Sequence, residues 1–134
     1  MSEPVSDLAE LLRTLQPVLN VGTFVFASLP DDADNSALEP LATFRENEGL
    51  TVVVAEERAR LAGLRVLFRA AWITLTVHSD LQAVGLTAAV ADALARANIS
   101  CNMIAAAHHD HLFVPAESAR AAIEVLMALQ QRHR

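Results

Sequence analysis

The order of the predicted elements favours an α+β fold of the ferredoxin-like kind, in which helices cover one face of an antiparallel sheet. Hydrophobic residues make up 53% of the 134 residues, which is enough for a sizeable core. Short apolar runs typical of strands alternate with stretches whose apolar residues recur at helical spacing. In the second half these elements follow the order strand, helix, strand, strand, helix. That order is a ferredoxin-like unit lacking one strand.

The first half is predicted to contain a helix, three strands and a second helix. Leucines at helical spacing form the first helix, which Ser6 caps and which stops before Pro17. Residues 18–21 are expected to be a connection, and Pro30–Pro40 a polar loop. A short helix over Glu56–Gly63 ends at its glycine. The strands are expected at residues 23–29, 43–46 and 50–55, the last two joined by a glycine turn.

The second half is predicted to contain a strand over Trp72–His78, a helix over Val84–Ala97, strands over 100–106 and 112–114, and a helix starting at Pro115. Asp92 and Arg96 should pair on the outer side of the middle helix. Its inner side is expected to carry Leu86, Val90, Ala93, Leu94 and Ala97. The missing strand should come from the first half or from a partner chain, and two halves that complete each other, 1–66 and 67–134, are the favoured architecture.

Composition and charge argue against several classes of protein. The formal net charge is −6 and no basic cluster is present, so a nucleic-acid partner is not expected. No apolar run is long enough to cross a bilayer, and the acidic N-terminus lacks the features of a secretory signal, so we expect cytoplasmic residence and no membrane partner. Cys101 is the single cysteine, which excludes an internal disulfide and favours a buried, inert thiol.

The turn from Ser79 to Leu86 is a candidate anion site. The helix behind it leaves backbone N–H groups free, and Gly85 permits the close approach of a ligand. On spacing alone, capping of the turn by Ser79 or Asp80 is the more common use of such residues. Both interpretations stay open at this point.

The cluster His108-His109-Asp110-His111 contains four side chains that can bind metal. Neighbouring residues of an extended chain alternate sides, so a polar hairpin turn with Asp110 bonded to local backbone is favoured over a metal site. A third interpretation places a histidine or Asp110 at the border of a ligand cleft.

An enzyme is not expected from these residues. Cys101 and Ser79 come without a nucleophile elbow or an evident base, and Glu46 with Glu48 is typical of a solvated hairpin end rather than an acid/base pair. We therefore predict no catalytic residue, no cofactor and no resident metal. A metal-dependent enzyme is the minor alternative.

The region from Val77 to Ile104 resembles an ACT domain, the small regulatory module of amino-acid metabolism. It has the strand, the turn leading to Gly85, the helix ending in Ala97-Asn98-Ile99 and the following strand of that family. The motifs F-R-E-N-E-G-L-T and H-D-H-L-F-V-P are similar to those of short stand-alone bacterial ACT-domain proteins. A more distant likeness is to the tandem-ACT arginine sensors of eukaryotes.

The resemblance implies a βαββαβ fold, edge-to-edge pairing of ACT units, amino-acid binding at the seam and no chemistry of its own. It divides the chain into an N-terminal ACT-like half (1–66) and a C-terminal ACT domain (67–134). Backbone N–H groups of 84–86 would receive the ligand carboxylate, Asp80 or Asp110 the ammonium, and Asn102 would add a hydrogen bond. The candidate ligand-binding residues are Ser79, Asp80, Leu81, Val84, Gly85, Leu86, Asn102 and Asp110.

The expected function is thus a non-catalytic sensor or regulatory module for a small ligand, with an amino acid first. The expected partners are that ligand, a second copy of the chain and a metabolic enzyme. The alternative is a ligand-free module for oligomerisation or protein interaction, whose exposed sheet edges pair with itself or with an enzyme.

Overall fold

The computed structural model describes residues 7–77 and 79–134. The chain forms two compact units, one from the segment up to Asn20 together with Ala71–Arg134, the other from Val21–Ala70. In each unit helices pack on one face of an antiparallel sheet, so the predicted ferredoxin-like α+β fold is confirmed.

The Val21–Ala70 unit contains the hairpin and the second helix that the sequence predicts. Its elements are β2 (Phe24–Leu29), β3 (Ala42–Glu46), β4 (Gly49–Ala55), α2 (Glu56–Leu61) and the first residues of β5 (Phe68–Leu75), in the sheet order β3-β4-β2-β5. The predicted loop contains one ordered turn, a short 3-10 helix over Ser36–Leu38. Its Leu38 packs with Val25, Val52 and Val54 in the core of this unit, which explains why the segment folds back.

The other unit holds the remaining helices. Its elements are α1 (Leu8–Arg13), β1 (Pro17–Leu19), the rest of β5, α3 (Leu86–Arg96), β6 (Asn102–Ala105), β7 (Asp110–Pro115) and α4 (Ala119–Gln131), in the sheet order β1-β5-β7-β6. A 3-10 turn over Ala116–Ser118 precedes α4. The predicted helix start at Pro115 is therefore wrong, because Pro115 is the last residue of β7.

The strand missing from the second half is β1, which pairs antiparallel with β5 and places Val18 opposite Thr74. The prediction that the first half supplies this strand is confirmed, but the expectation that residues 18–21 only connect two elements is wrong for Val18 and Leu19. Pro17 can begin a strand at a sheet edge because its missing N–H is not needed there. The backbone N–H of Thr76 donates to the carbonyl of Gln16 at 2.9 Å and that of Asn20 to the carbonyl of Trp72 at 2.9 Å, extending the pairing at both ends.

The core of this unit lies between its sheet and α1, α3 and α4. Leu11, Leu15, Leu94, Leu112 and Leu126 are fully buried in it. The predicted inner side of α3 is confirmed except for Ala97, which follows the last helical residue and is exposed.

Several element ends differ from expectation. Strand β5 begins at Phe68, before the predicted start at Trp72, since its first residues pair with β2. Asp7 caps α1 by accepting a hydrogen bond from the Ala9 N–H at 2.9 Å. The predicted cap Ser6 and the predicted strand end His78 lie outside the described residues. The predicted pair of Asp92 and Arg96 is confirmed at 2.8 Å.

Among the described residues, no helix is both long and apolar enough to cross a membrane.

Candidate functional site

The turn between β5 and α3 leaves the start of α3 without a side-chain cap. Helix α3 begins after Gly85, whose φ of +103° lies in the left-handed region that favours glycine. Among the described residues, no side chain caps the first N–H groups of the helix. Because these groups also lack partners within the helix, the end carries partial positive charge and free donors.

Asp80 shapes the turn rather than capping the helix. Its Oδ1 accepts a hydrogen bond from the Gln82 N–H at 2.9 Å, and its carbonyl accepts one from the Ala83 N–H at 2.9 Å. Such a local bond from an aspartate is the usual way to fix a turn. The structure therefore shows capping of the turn by Asp80 but no capping of α3 by Ser79 or Asp80.

Ser79 and Asp110 form a buried polar pair. The Ser79 hydroxyl donates to Asp110 Oδ2 at 2.9 Å, and the two residues are only 7% and 5% exposed. The expectation that Asp110 sits in a turn and bonds local backbone is wrong, because Asp110 is the first residue of β7. No described residue donates a hydrogen bond to Asp110 Oδ1, and no fully buried polar side-chain atom among the described residues lacks a partner. Hence Oδ1 is accessible from the adjoining cavity.

A cavity of about 140 Å³ lies beside this pair and is called here the Asp110 cavity. Its lining combines the turn, the first residues of α3 and the facing ends of β6 and β7. The lining residues are Ser79, Asp80, Leu81, Ala83, Gly85, Leu86, Thr87, Ala105 and Asp110.

Six of the eight sequence-predicted ligand residues line the Asp110 cavity, and two do not. Val84 is 82% exposed, and Asn102 is an exposed residue of β6 opposite Phe113. The sequence prediction lacks Ala83, Thr87 and Ala105. Thr87 could have been found as a hydroxyl in the first turn of α3, and Ala105 from its place opposite Asp110 in the β6–β7 hairpin.

The histidine cluster divides between two sides of the hairpin. Of its four residues only Asp110 lines the Asp110 cavity. His111, the next residue along β7, accepts at Nδ1 a hydrogen bond of 3.1 Å from the indole N–H of Trp72. The Thr74 hydroxyl lies 3.0 Å from the same nitrogen. Because the indole can only donate, Nδ1 must be an acceptor and the proton of the neutral ring is on Nε2.

The surroundings of His111 favour the neutral form of its ring. Burial, and secondly the charge of His109, lower the pKa of His111, while Asp110 acts in the opposite direction. The chemistry of the two sides of β7 therefore differs, with a carboxylate facing the cavity and a neutral imidazole on the other side.

The described residues show no grouping of three or more His, Cys, Asp or Glu side chains that could hold a metal ion. Cys101 is half-buried, and burial raises the pKa of its thiol, which reduces its reactivity. Glu46 accepts a hydrogen bond from the Thr51 hydroxyl at 2.5 Å on an exposed hairpin, as a solvated hairpin end would.

Comparison with protein families gives two matches that together span most of the chain. Residues 3–71 match one family model described as an ACT domain, and residues 68–128 match another of the same description. No curated protein sequence matches the chain.

Solved structures share the fold over most of this chain. A Vibrio cholerae protein of unknown function, described as a possible transport protein, is 47% identical over 92% of this chain and 95% of its own, with a TM-score of 0.84. An Agrobacterium tumefaciens protein is 15% identical over 87% and 89%, with a TM-score of 0.69. The regulatory subunit of aspartate kinase from Thermus flavus is 12% identical over 84% and 95%, with a TM-score of 0.63.

Proposed function

The chain belongs to the ACT domain family of regulatory ligand-binding modules, and we propose that it binds a free amino acid in the Asp110 cavity. The observation that carries the proposal is the buried Asp110 carboxylate in a cavity that also contains the uncapped start of α3. A carboxylate and a helix N-terminus side by side are complementary to the two charges of a zwitterion.

In this arrangement Asp110 Oδ1 receives the ligand ammonium, and the N–H groups after Gly85 receive the ligand carboxylate. The Ser79 hydroxyl holds Asp110 Oδ2 and thereby fixes the direction of the free oxygen. Asp80 keeps its bond to the Gln82 N–H and continues to fix the turn when the ligand enters. A preformed site of this kind loses little free energy to reorganisation.

A regulatory role agrees with the two ACT-domain matches, which together span most of the chain. The fold shared with a regulatory subunit of aspartate kinase supports regulation as the output. As part of the same proposal, copies of the chain associate in the cytoplasm, and the ligand lies near the seam between an ACT domain of one copy and an ACT domain of another.

A thermal-shift screen of the common amino acids tests the proposal. A ligand at tenfold excess over its Kd should stabilise the protein by about 1.4 kcal/mol. Asp110→Asn, which keeps the shape of the side chain and removes its charge, should abolish the shift. Asp31→Asn in the exposed loop is the control and should retain it. If no amino acid shifts the folded protein at millimolar concentration, the proposed function is wrong.

A ligand-free interaction module is the second candidate, and exposed apolar residues in the Val21–Ala70 unit favour it. Phe44 is 71% exposed on β3, which is the last strand of that sheet. Large apolar side chains on open edge strands invite pairing with another chain. Phe44→Ser should then lower the mass measured by light scattering, whereas Leu61→Ser, at a 74% exposed position of α2, should not.

A further inference from the structure

We propose that the Asp110 cavity selects small neutral amino acids, of the size of glycine, alanine and serine, over larger, acidic or basic ones. This inference rests on the proposed function, that the cavity binds an amino acid. It adds the class of ligand, which follows from the volume, charge and walls of the cavity.

The volume sets the upper limit on ligand size. The cavity measures about 140 Å³, well below the roughly 300–1,000 Å³ of pockets for drug-sized ligands. A protein cavity of about 150 Å³ accommodates benzene, which has about six non-hydrogen atoms. Alanine has the same number. A branched or aromatic side chain would therefore have to leave the cavity or displace its walls.

The walls that would have to move are held in place. Leu86 is 4% exposed and belongs to the core beneath α3. Ala105 stands opposite Asp110 in the β6–β7 hairpin, so its position follows the backbone of the sheet. Leu81, by contrast, is 66% exposed and lies at the rim. Ala105 itself is exposed, so this wall is fixed by its backbone alone, whereas the buried Leu86 side chain is close-packed and yields little to an extra methylene group.

The charges exclude the acidic amino acids. The cavity lining holds two carboxylates, Asp80 and Asp110, and no Lys, Arg or His among its described residues. An aspartate or glutamate ligand would bring a side-chain carboxylate, in addition to its α-carboxylate, close to Asp80 and Asp110, and like charges at close range repel. Lysine and arginine suit the charge but exceed the volume, so size and charge can be tested separately.

Calorimetric titration with alanine, leucine, aspartate and lysine is the direct test. Alanine should bind at least about tenfold more tightly than each of the other three, a difference of about 1.4 kcal/mol. Leucine or lysine binding as tightly as alanine would overturn the size limit, and tight binding of aspartate would overturn the charge argument. In each of these cases the proposed function would stand. Failure of every amino acid, with the protein folded by circular dichroism, would overturn both proposals.

A variant that fills part of the cavity tests whether the cavity walls determine which amino acids bind. Ala105→Leu should weaken alanine binding by about tenfold or more and glycine binding less, because glycine has no side chain to collide with the new leucine. Ala95→Leu makes the same change at an exposed position of α3 outside the cavity and should leave both affinities as they are. Equal losses for glycine and alanine would contradict selection by the wall.

Discussion

The tautomer of His111 gives this protein a pH dependence that can be assigned to one residue. The Trp72 indole donates to Nδ1, so a proton at that nitrogen would face a donor instead of an acceptor. The pKa of His111 is lowered, first by burial and then by the charge of His109. The unfolded chain therefore binds this proton more readily than the folded protein does.

The sign of the effect follows from proton linkage. As the pH falls through the ordinary histidine pKa of about 6.5, His111 takes up a proton in the unfolded chain but stays neutral in the folded protein. The free energy of unfolding therefore decreases. Once the pH is below the pKa of His111 in the folded protein, both states carry the proton and this residue lowers stability no further. Urea unfolding at pH 5 and pH 8 should show this loss in the wild type and a smaller one in His111→Gln. An identical pH dependence in the two proteins would contradict the assignment.

The Ser79–Asp110 pair should stabilise the fold as well as shape the cavity. Ser79→Ala removes the donor to a buried carboxylate oxygen, which should lower the free energy of unfolding by about 1–3 kcal/mol. Ser28→Ala, at an exposed position of β2, should change it by less than about 0.5 kcal/mol. Urea denaturation measures both values.

The hydrogen bond between Ser79 and Asp110 could not be predicted from the sequence. The sequence points to the turn around Ser79 and to Asp110 separately, but not to their direct contact, because it joins positions 31 residues apart. That contact depends on which residues of β5, β6 and β7 lie side by side. A shift of one residue in register would turn Asp110 to the other side of the sheet.

Among the elements, the start of α3 depends most on a single glycine. Gly85 has a φ of +103°, and a Cβ there would lie 2.9 Å from Leu8 Cδ2. Gly85→Ala should therefore destabilise the protein by about 1–3 kcal/mol, mostly through the backbone, since the end of the leucine side chain can move. Gly63 has a φ of +66°, and a Cβ at that position would have no neighbouring atom within 4 Å, so Gly63→Ala carries the backbone cost alone.

Combining Gly85→Ala with Leu8→Ala separates the two contributions. If crowding by Leu8 matters, the double variant should lose less stability than the sum of the losses of the two single variants. Thermal unfolding of the wild type and the three variants, as a double-mutant cycle, measures this difference. Simple additivity would assign the whole loss to the left-handed backbone.

Strong periodicity explains which elements the sequence predicts well. Strand β4, with its run of valines, and helix α4, with Ala122, Leu126 and Leu129 buried, follow their patterns. Strand β1 escapes prediction because its three residues are too few to show alternation and because Pro17 is typical of a helix end. Its pairing with β5 is a tertiary contact, which local sequence does not encode.

At the scale of the whole molecule, the two compact units do not follow one another along the chain. The unit that contains the Asp110 cavity takes α1 and β1 from before the Val21–Ala70 unit and the rest from after it. In this unit β1 occupies the place of the strand that would follow α4 in a continuous ferredoxin-like chain, and it lies against α4. The domain boundary between residues 66 and 67 stays a prediction, because the family matches overlap over residues 68–71.

This arrangement predicts that the C-terminal half, residues 67–134, does not fold alone. It would lack the edge strand β1 and the buried side chains Leu11, Leu12 and Leu15, which are between 0% and 4% exposed. Losing one buried leucine side chain costs about 2–5 kcal/mol, so losing three is comparable to the total stability of about 5–15 kcal/mol of many domains. Circular dichroism should show an unfolded or aggregated fragment. Joining residues 7–20 by a flexible linker after Arg134 should restore cooperative unfolding, since β1 would then follow α4 along the chain. A stable fragment 67–134 would show instead that its sheet can dispense with β1.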